Sequence, residues 1–295
     1  MNGTAQLGEF LQTRRSQLVP EDLGIPDYGE RRRVPGLRRE ELALLAGVSV
    51  SYYTRLEQGH SLNASPQVLE ALARALRLEE TERLHLHDLA RSAQGPGRRR
   101  RPAPERVTRA TGQLLEALAH VPAIVTGRRS DVLAWNRPGH ALFAGHLDPY
   151  AVDRPAERPN MARLVFLDAH TRDLYADWPA KARAVVGNLR LVAGRYPDDT
   201  ALHVLVGELS AKSPEFASMW ADHRVKACAV ATYEMRHPLL GPLTVTQQTL
   251  SQGPSQNIVV ATTEADSPAR TALALLAHVT PKGDPAGPGA PADAG

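Results

Sequence analysis

From residue 7 to residue 18 the apolar positions are Leu7, Phe10, Leu11 and Leu18, a spacing that predicts one short amphipathic helix. The period then stops. Residues 20–35 hold prolines at 20, 26 and 35, glycines at 24 and 29, and the triplet Arg31, Arg32 and Arg33, which together read as an exposed loop. Helical spacing returns over Arg39 to Ala46 and again over Ser51 to Gln58. A further helix starts at Ser65-Pro66, an N-cap serine with proline at the first helical position, and runs to Leu76; another covers Glu79 to Ala93. Residues 1–94 are thus expected to form an all-α, five-helix domain. "GPGRRRRPAP", residues 95–104, breaks regular structure and keeps four arginines solvated, so it reads as a linker that also suits phosphate contact.

Beyond the linker, Val107, Leu114, Leu115 and Leu118 mark a helix, and "PAIVTGRRSDVLAWN" reads as strand, turn, strand. Helical patterns dominate from Arg163 to His223, interrupted at Tyr196-Pro197 and Ser213-Pro214. The period then shortens to two: "ACAVATYEM", "LTVTQQTL" and "NIVVATTE" are strand-like, and a last helix begins at Pro268. Residues 105–279 are therefore expected to form an α+β domain built on an antiparallel sheet, with 280–295 a disordered tail too poor in apolar residues to order itself.

The stretch "RREELALLAGVSVSYYTRLEQGH" has a more particular spacing. Counted from Arg39, Ala43 falls at five, Gly47 at nine, Tyr53 at fifteen and Leu56 at eighteen, the spacing of a helix-turn-helix. A small Ala43 lets two helices cross closely, Gly47 suits the positive φ of the turn, and Ser49 is placed to cap the second helix. Val48, Tyr53 and Leu56 then point inward, leaving Ser51, Tyr52 and Arg55 outside with Val50 at the edge. Such a helix can enter the DNA major groove, where Arg55 suits guanine, Ser51 donates or accepts, and Val50 or Tyr52 packs on a thymine methyl. Arg39 is better placed for a phosphate. An ordinary helical hairpin with solvated outer residues is the alternative. The usual geometry for the motif is a homodimer on a palindromic operator in double-stranded DNA.

Charge agrees with an anionic partner for the first half. Residues 1–110 carry eighteen arginines and no lysine against fourteen acidic residues, while the remainder is nearly balanced within a chain of net charge +3. No apolar run approaches ~18 residues and no basic-then-apolar leader opens the chain, so neither a membrane span nor a signal peptide is expected, and the cytoplasm is the default address. The single cysteine, Cys228, excludes an internal disulfide and a multi-cysteine zinc site, and within its apolar run it reads as a core residue. His85 and His87 point about 200° apart on a helix and read as surface residues. Motifs for nucleotide binding, hydrolytic nucleophiles and metalloproteases are absent from the sequence, so the chain reads as a non-enzyme with no cofactor and no metal site.

The residues "RREELALLAGVSVSYYTRLEQGHSLNASPQVLEALARAL" resemble the XRE family of bacterial helix-turn-helix regulators. That resemblance implies that Glu57 is a structural partner for an arginine of the first helix, here Arg14 or Arg15. The inserted loop ending in "RRVPGLRREE", and the segments "NMARLVFLD", "LYADW", "GRYPDD", "GELSAKSPEFASMWADHRV" and "MRHPLLGPLTV", resemble the MmyB-like branch and its ligand-binding domain. The resemblance implies a PAS-like second domain that binds a small apolar ligand, a fatty acid or related lipid, and a transcription regulator overall. Ten of the fourteen aromatic residues lie between Trp135 and Tyr233. Trp135, Leu164, Phe166, Trp178, Leu189, Tyr196 and Trp220 are the candidate pocket residues, with Arg163 or Arg195 for a carboxylate; Arg31, Arg32 and Arg33 join the DNA candidates. The competing reading makes the second domain a dimerisation or protein-partner module.

Overall fold

The computed structural model describes residues 3–24, 36–60, 64–93, 105–222, 229–252 and 255–279. The readings made for Arg31–Arg33, the linker 95–104, Cys228 and the tail lie outside these residues. Among the described residues no helix is long and apolar enough to cross a membrane.

Five helices form the N-terminal part: α1 (Gly3–Gln17), α2 (Arg39–Ala46), α3 (Val50–Glu57), α4 (Pro66–Ala75) and α5 (Glu80–Ala93). Each begins or ends where the sequence supplies a reason. Gly47 takes φ +64°, and its N–H closes α2 on the Ala43 and Leu44 carbonyls. Ser49 and Ser65 cap α3 and α4 by accepting from the Tyr52 and Val68 amides. Leu7, Phe10, Leu11, Leu42, Tyr53, Leu56, Leu72 and Leu86 fill one shared core.

A buried ion pair ties this core together. Arg15 donates to Glu57 through Nε at 3.0 Å and Nη2 at 2.9 Å, and Arg39 adds bonds of 3.1 and 2.9 Å to the same carboxylate. Of the two arginines open to Glu57, Arg15 is therefore its partner across α1 and α3. Arg14 instead reaches Glu82 at 2.9 Å and binds α1 to α5.

The C-terminal part is α+β. Its five antiparallel strands are β1 (Ala123–Gly127), β2 (Val132–Trp135), β3 (Val230–His237), β4 (Gly241–Gln252) and β5 (Gln256–Thr262), in the spatial order β2-β1-β5-β4-β3. α6 (Arg109–Ala117) covers one face through Leu115, which packs with Ala123, Val125, Ile258 and Val260. The other face carries α7 (Arg137–Ala144), α8 (Met161–Leu167), α9 (Ala169–Leu174), α10 (Trp178–Arg195), α11 (Thr200–Lys212), α12 (Pro214–Ala221) and α13 (Pro268–Val279) in one larger core. Helix α7 has no counterpart in the periodicity, because almost every residue in it is buried and an all-round buried helix shows no stripe.

The two parts meet along α5 and α10. Ser92 Oγ donates to the Gly194 carbonyl at 2.9 Å, and Leu191 of α10 packs on the helical core. His85, expected at the surface, is only 5% exposed, because α10 lies against that side of α5. A Cβ at position 194 would stand 2.4 Å from the His85 ring, so this approach requires glycine.

Burial works against ionisation of Glu57, but the bonds from Arg15 and Arg39 outweigh it and hold the carboxyl below its ordinary value. The folded value thus lies under the unfolded one, so the stabilisation is present above the ordinary carboxylate range and is lost as pH falls through the depressed folded value. Glu57→Gln is expected to destabilise the chain by about 3 kcal/mol at neutral pH in urea unfolding, since it leaves a buried arginine uncompensated. The wild-type and variant curves should converge as the medium is acidified; a gap independent of pH would contradict the ionic role.

Candidate DNA-reading face and ligand cavity

With Ala43, Tyr53 and Leu56 fully buried, the geometry of α2 and α3 leaves one arc of α3 outside. Val50 is 44% exposed, Ser51 and Arg55 are exposed and Tyr52 is half-buried, so these four candidates share a single outward surface at the start and middle of the helix. Their backbone is held by the Ser49 cap at 3.2 Å and by the Leu56 and Tyr53 anchors beneath. Arg39 sits at the rim. Its side chain is 42% exposed, yet two of its N–H groups are committed to Glu57, so it belongs to the scaffold as well as to the surface.

In the C-terminal part, a narrow chamber of about 80 Å³ opens between α10 and the sheet. On its wall Lys181 Nζ donates to Gln247 Oε1 at 2.7 Å, and Gln247 Nε2 donates to the Tyr175 hydroxyl at 3.2 Å. The ammonium also lies 5.1 and 5.0 Å from the Tyr175 and Tyr233 rings, which pack edge to face. Burial pushes the Tyr175 phenol up to about 12, so it stays neutral. Ile124, Phe143, Met161 and Val185 supply apolar walls.

The chamber continues into a wider groove of about 400 Å³, the two sharing Thr126, Ser130, Asn188, Thr249 and Val259. The groove's rim is made from both parts of the chain: Leu191, Val192, Arg195 and Tyr196 on one side, and Thr81, Leu84 and Asp88 of α5 on the other. Arg128, also on this wall, is buried and held by Glu105 at 3.1 Å and Asp199 at 2.9 Å.

The remaining pocket candidates lie elsewhere. Phe166 stands edge-on to Trp178 and to Phe216, Phe216 stacks on Trp220, and Leu164 and Leu189 pack in the same core, forming a solid aromatic ladder. Trp178 Nε1 donates to the Val165 carbonyl at 2.7 Å. Trp135 donates to the Pro149 carbonyl and packs on His140, while Arg163 pairs with Glu208 at the surface. Only Arg195 and Tyr196 line the groove, and Trp220 lines a separate cleft. Reasoning from sequence passed over Lys181, Gln247, Tyr175 and Tyr233. One signal was present: the inward positions of β4 read Leu243, Val245, Gln247, placing an amide where the pleat demands a core residue.

Comparison with known proteins agrees with this division. Residues 6–86 match a helix-turn-helix domain, and residues 107–276, more than half of the chain, match the MmyB-like transcription regulator ligand binding domain. No curated protein matches the chain. A helix-turn-helix with a solvent-facing arc on α3, joined to a ligand-binding domain through α5 and α10, makes this a ligand-sensing transcription regulator, and the chain belongs to the family defined by the MmyB-like ligand-binding domain.

Proposed function

We propose that the protein is a cytoplasmic, homodimeric regulator that reads a palindromic operator with α3 and senses a fatty acid or related carboxylate-bearing lipid in the cavity beneath α10. The observation that carries this reading is the run of the cavity itself. It has a lysine beside two tyrosine rings in its chamber, and in the groove beyond, Leu84 of α5 and Leu191 and Val192 of α10 lie among polar residues. A carboxylate at Lys181 is stabilised by the ammonium, and the acyl chain extends past Val259 toward Leu84, Leu191 and Val192. The end of the chain then touches the DNA-binding domain directly.

Helix α10 gives the ligand a second route to the same place. Lys181, Val185 and Asn188 face the cavity, and the helix continues to Leu191 and Gly194 at the seam with α5. A ligand that favours one setting of α10 shifts the arrangement of the DNA-binding domain by its differential affinity for the two settings. Homodimeric binding follows from the motif: one eight-residue helix contacts few base pairs, and two symmetric half-sites multiply those contacts. Within each half-site Arg55 takes guanine, Ser51, Tyr52 and Val50 contact neighbouring edges, and Arg39 lies near the phosphates, with Arg31, Arg32 and Arg33 as further backbone contacts.

Two measurements test the reading. Arg55→Ala is expected to weaken operator binding by about tenfold to a hundredfold and to relax base preference at one position, as read by titration against an operator library; unchanged affinity and preference would remove Arg55 from the reading surface. Lys181→Met is expected to lower the affinity for a long-chain fatty acid by about tenfold or more in a displacement assay, with unliganded operator binding unchanged. Equal affinity in wild type and variant would rule out Lys181 as the carboxylate anchor, and failure of any fatty acid to bind the wild type would discard the lipid reading.

A further inference from the structure

The chamber and the groove of the ligand cavity join at a neck lined by Thr126, Ser130, Asn188, Thr249 and Val259. All but Val259 carry a hydroxyl or an amide. Strand register explains where this polarity lies. The inner face of the sheet is apolar at Leu243, Val245, Ala261 and Ile124, all members of the large core. Farther along the same strands, toward the groove, the inward positions become Thr249 and Ser251 on β4, Asn257 on β5 and Thr126 on β1. Thr126 stands opposite Asn257, and Asn257 opposite Ser251. A pleat that fills a core at one end thus presents a band of hydroxyls and amides at the other.

The facing wall is polar at the same level. Lys181, Ala184, Val185 and Asn188 of α10 all line the chamber, and Asn188 comes two turns after Lys181, about 10 Å along the axis. Ser130 lines both spaces from the β1–β2 turn, where its φ of +68° is a left-handed backbone that few residues other than glycine adopt. Among the described residues the side chains of Thr126, Ser130, Asn188 and Thr249 have no hydrogen-bond partner, and none of them is sealed from open space. Asn257 accepts from the Ser251 hydroxyl at 3.2 Å, which leaves its amide N–H groups unpaired.

We propose that the lipid sensed here carries a hydroxyl in the middle of its acyl chain, and that the band of Thr126, Asn188, Thr249 and Asn257 selects for it. The proposal rests on the reading of the cavity as a fatty-acid site with the carboxylate at Lys181. A saturated chain crossing the neck covers these groups without bonding them, and covering an unpaired polar group is unfavourable. A second charge fits no better, since no side chain of the band is ionised. A hydroxyl donates and accepts at once, so it bonds a threonine oxygen and an asparagine amide together. The spacing between Lys181 and Asn188 sets that hydroxyl well away from the carboxylate. Sites built to bond a hydroxyl discriminate against the analogue lacking it, whereas an apolar tunnel prefers the plain chain, so the sign of the preference separates the two cases.

The test is displacement of a fluorescent fatty acid from the full chain by stearic acid, by α-hydroxystearic acid and by mid-chain hydroxystearic acids. At least one mid-chain isomer is expected to bind about tenfold tighter than stearic acid, and the α-hydroxy acid no tighter. Thr126→Val keeps a β-branched residue in the strand and is expected to remove most of that preference; Asn188→Leu, at an exposed helix position, does the same should the strand variant not fold. Lys181→Met is expected to weaken stearic and hydroxystearic acids alike and keep their ratio. The proposal is overturned, with the fatty-acid reading intact, if stearic acid binds as tightly as every hydroxylated isomer, if both neck variants keep the full preference, or if Lys181→Met removes it. Failure of all these acids to bind the wild type overturns the fatty-acid reading and this inference with it.

Discussion

The contact between Gly194 and His85 is the constraint on which the rest of the architecture depends. Helix α10 is a wall of the chamber along its middle and the neighbour of α5 near its end, and the second role requires it to lie close against the DNA-binding domain. Any side chain at residue 194 would meet the imidazole and hold the helices apart. The close approach buries His85, carries Leu191 into the helical core, and creates a cavity on each side of the seam, the His85 ring lining both. Ligand-binding and DNA-binding parts are thereby coupled through one helix pair with little slack, since closely packed interiors respond to displacement by shifting together.

Electrostatics has a different role in each part. In the N-terminal helices, a few buried charges act as fasteners: Glu57 receives Arg15 from α1 and Arg39 from α2, and Glu82 receives Arg14. Each carboxylate joins helices that hydrophobic contact alone would leave free to slide, because ion pairs and their hydrogen bonds are directional where apolar packing is not. In the C-terminal part Arg128 is fastened in the same way by Glu105 and Asp199, but two other cations line cavities. Lys181 and Arg190 lie over aromatic rings, an arrangement that keeps a cation partly desolvated while its electrostatic field still reaches into a cavity.

The elements of the fold were legible in the sequence wherever one face was polar. The five N-terminal helices, the turn at Gly47 and the caps at Ser49 and Ser65 all followed from period and punctuation, and so did the strands, whose alternation marked the sheet. Helix α7 was not legible, because burial on all sides erases periodicity. The outward arc of α3 could be read because its inward residues are set by the turn. The cavity could not, because Trp178 and Phe166 have the same composition whether they line a void or fill a core; long-range packing decides, and it made them core. The residues that do line the chamber come from four strands and from α7, α8 and α10, and no local pattern joins Lys181 to Gln247.

The way α3 is mounted separates two tasks that other surfaces mix. Tyr53, Leu56 and Glu57 bind the helix to its support, whereas Val50, Ser51, Tyr52 and Arg55 lie on the side away from it. Exchanges among the latter four leave the mounting untouched, so the chemistry of this outer arc can change in small steps while the fold is inherited unchanged. The arc is thus free to diversify on a frame that is not.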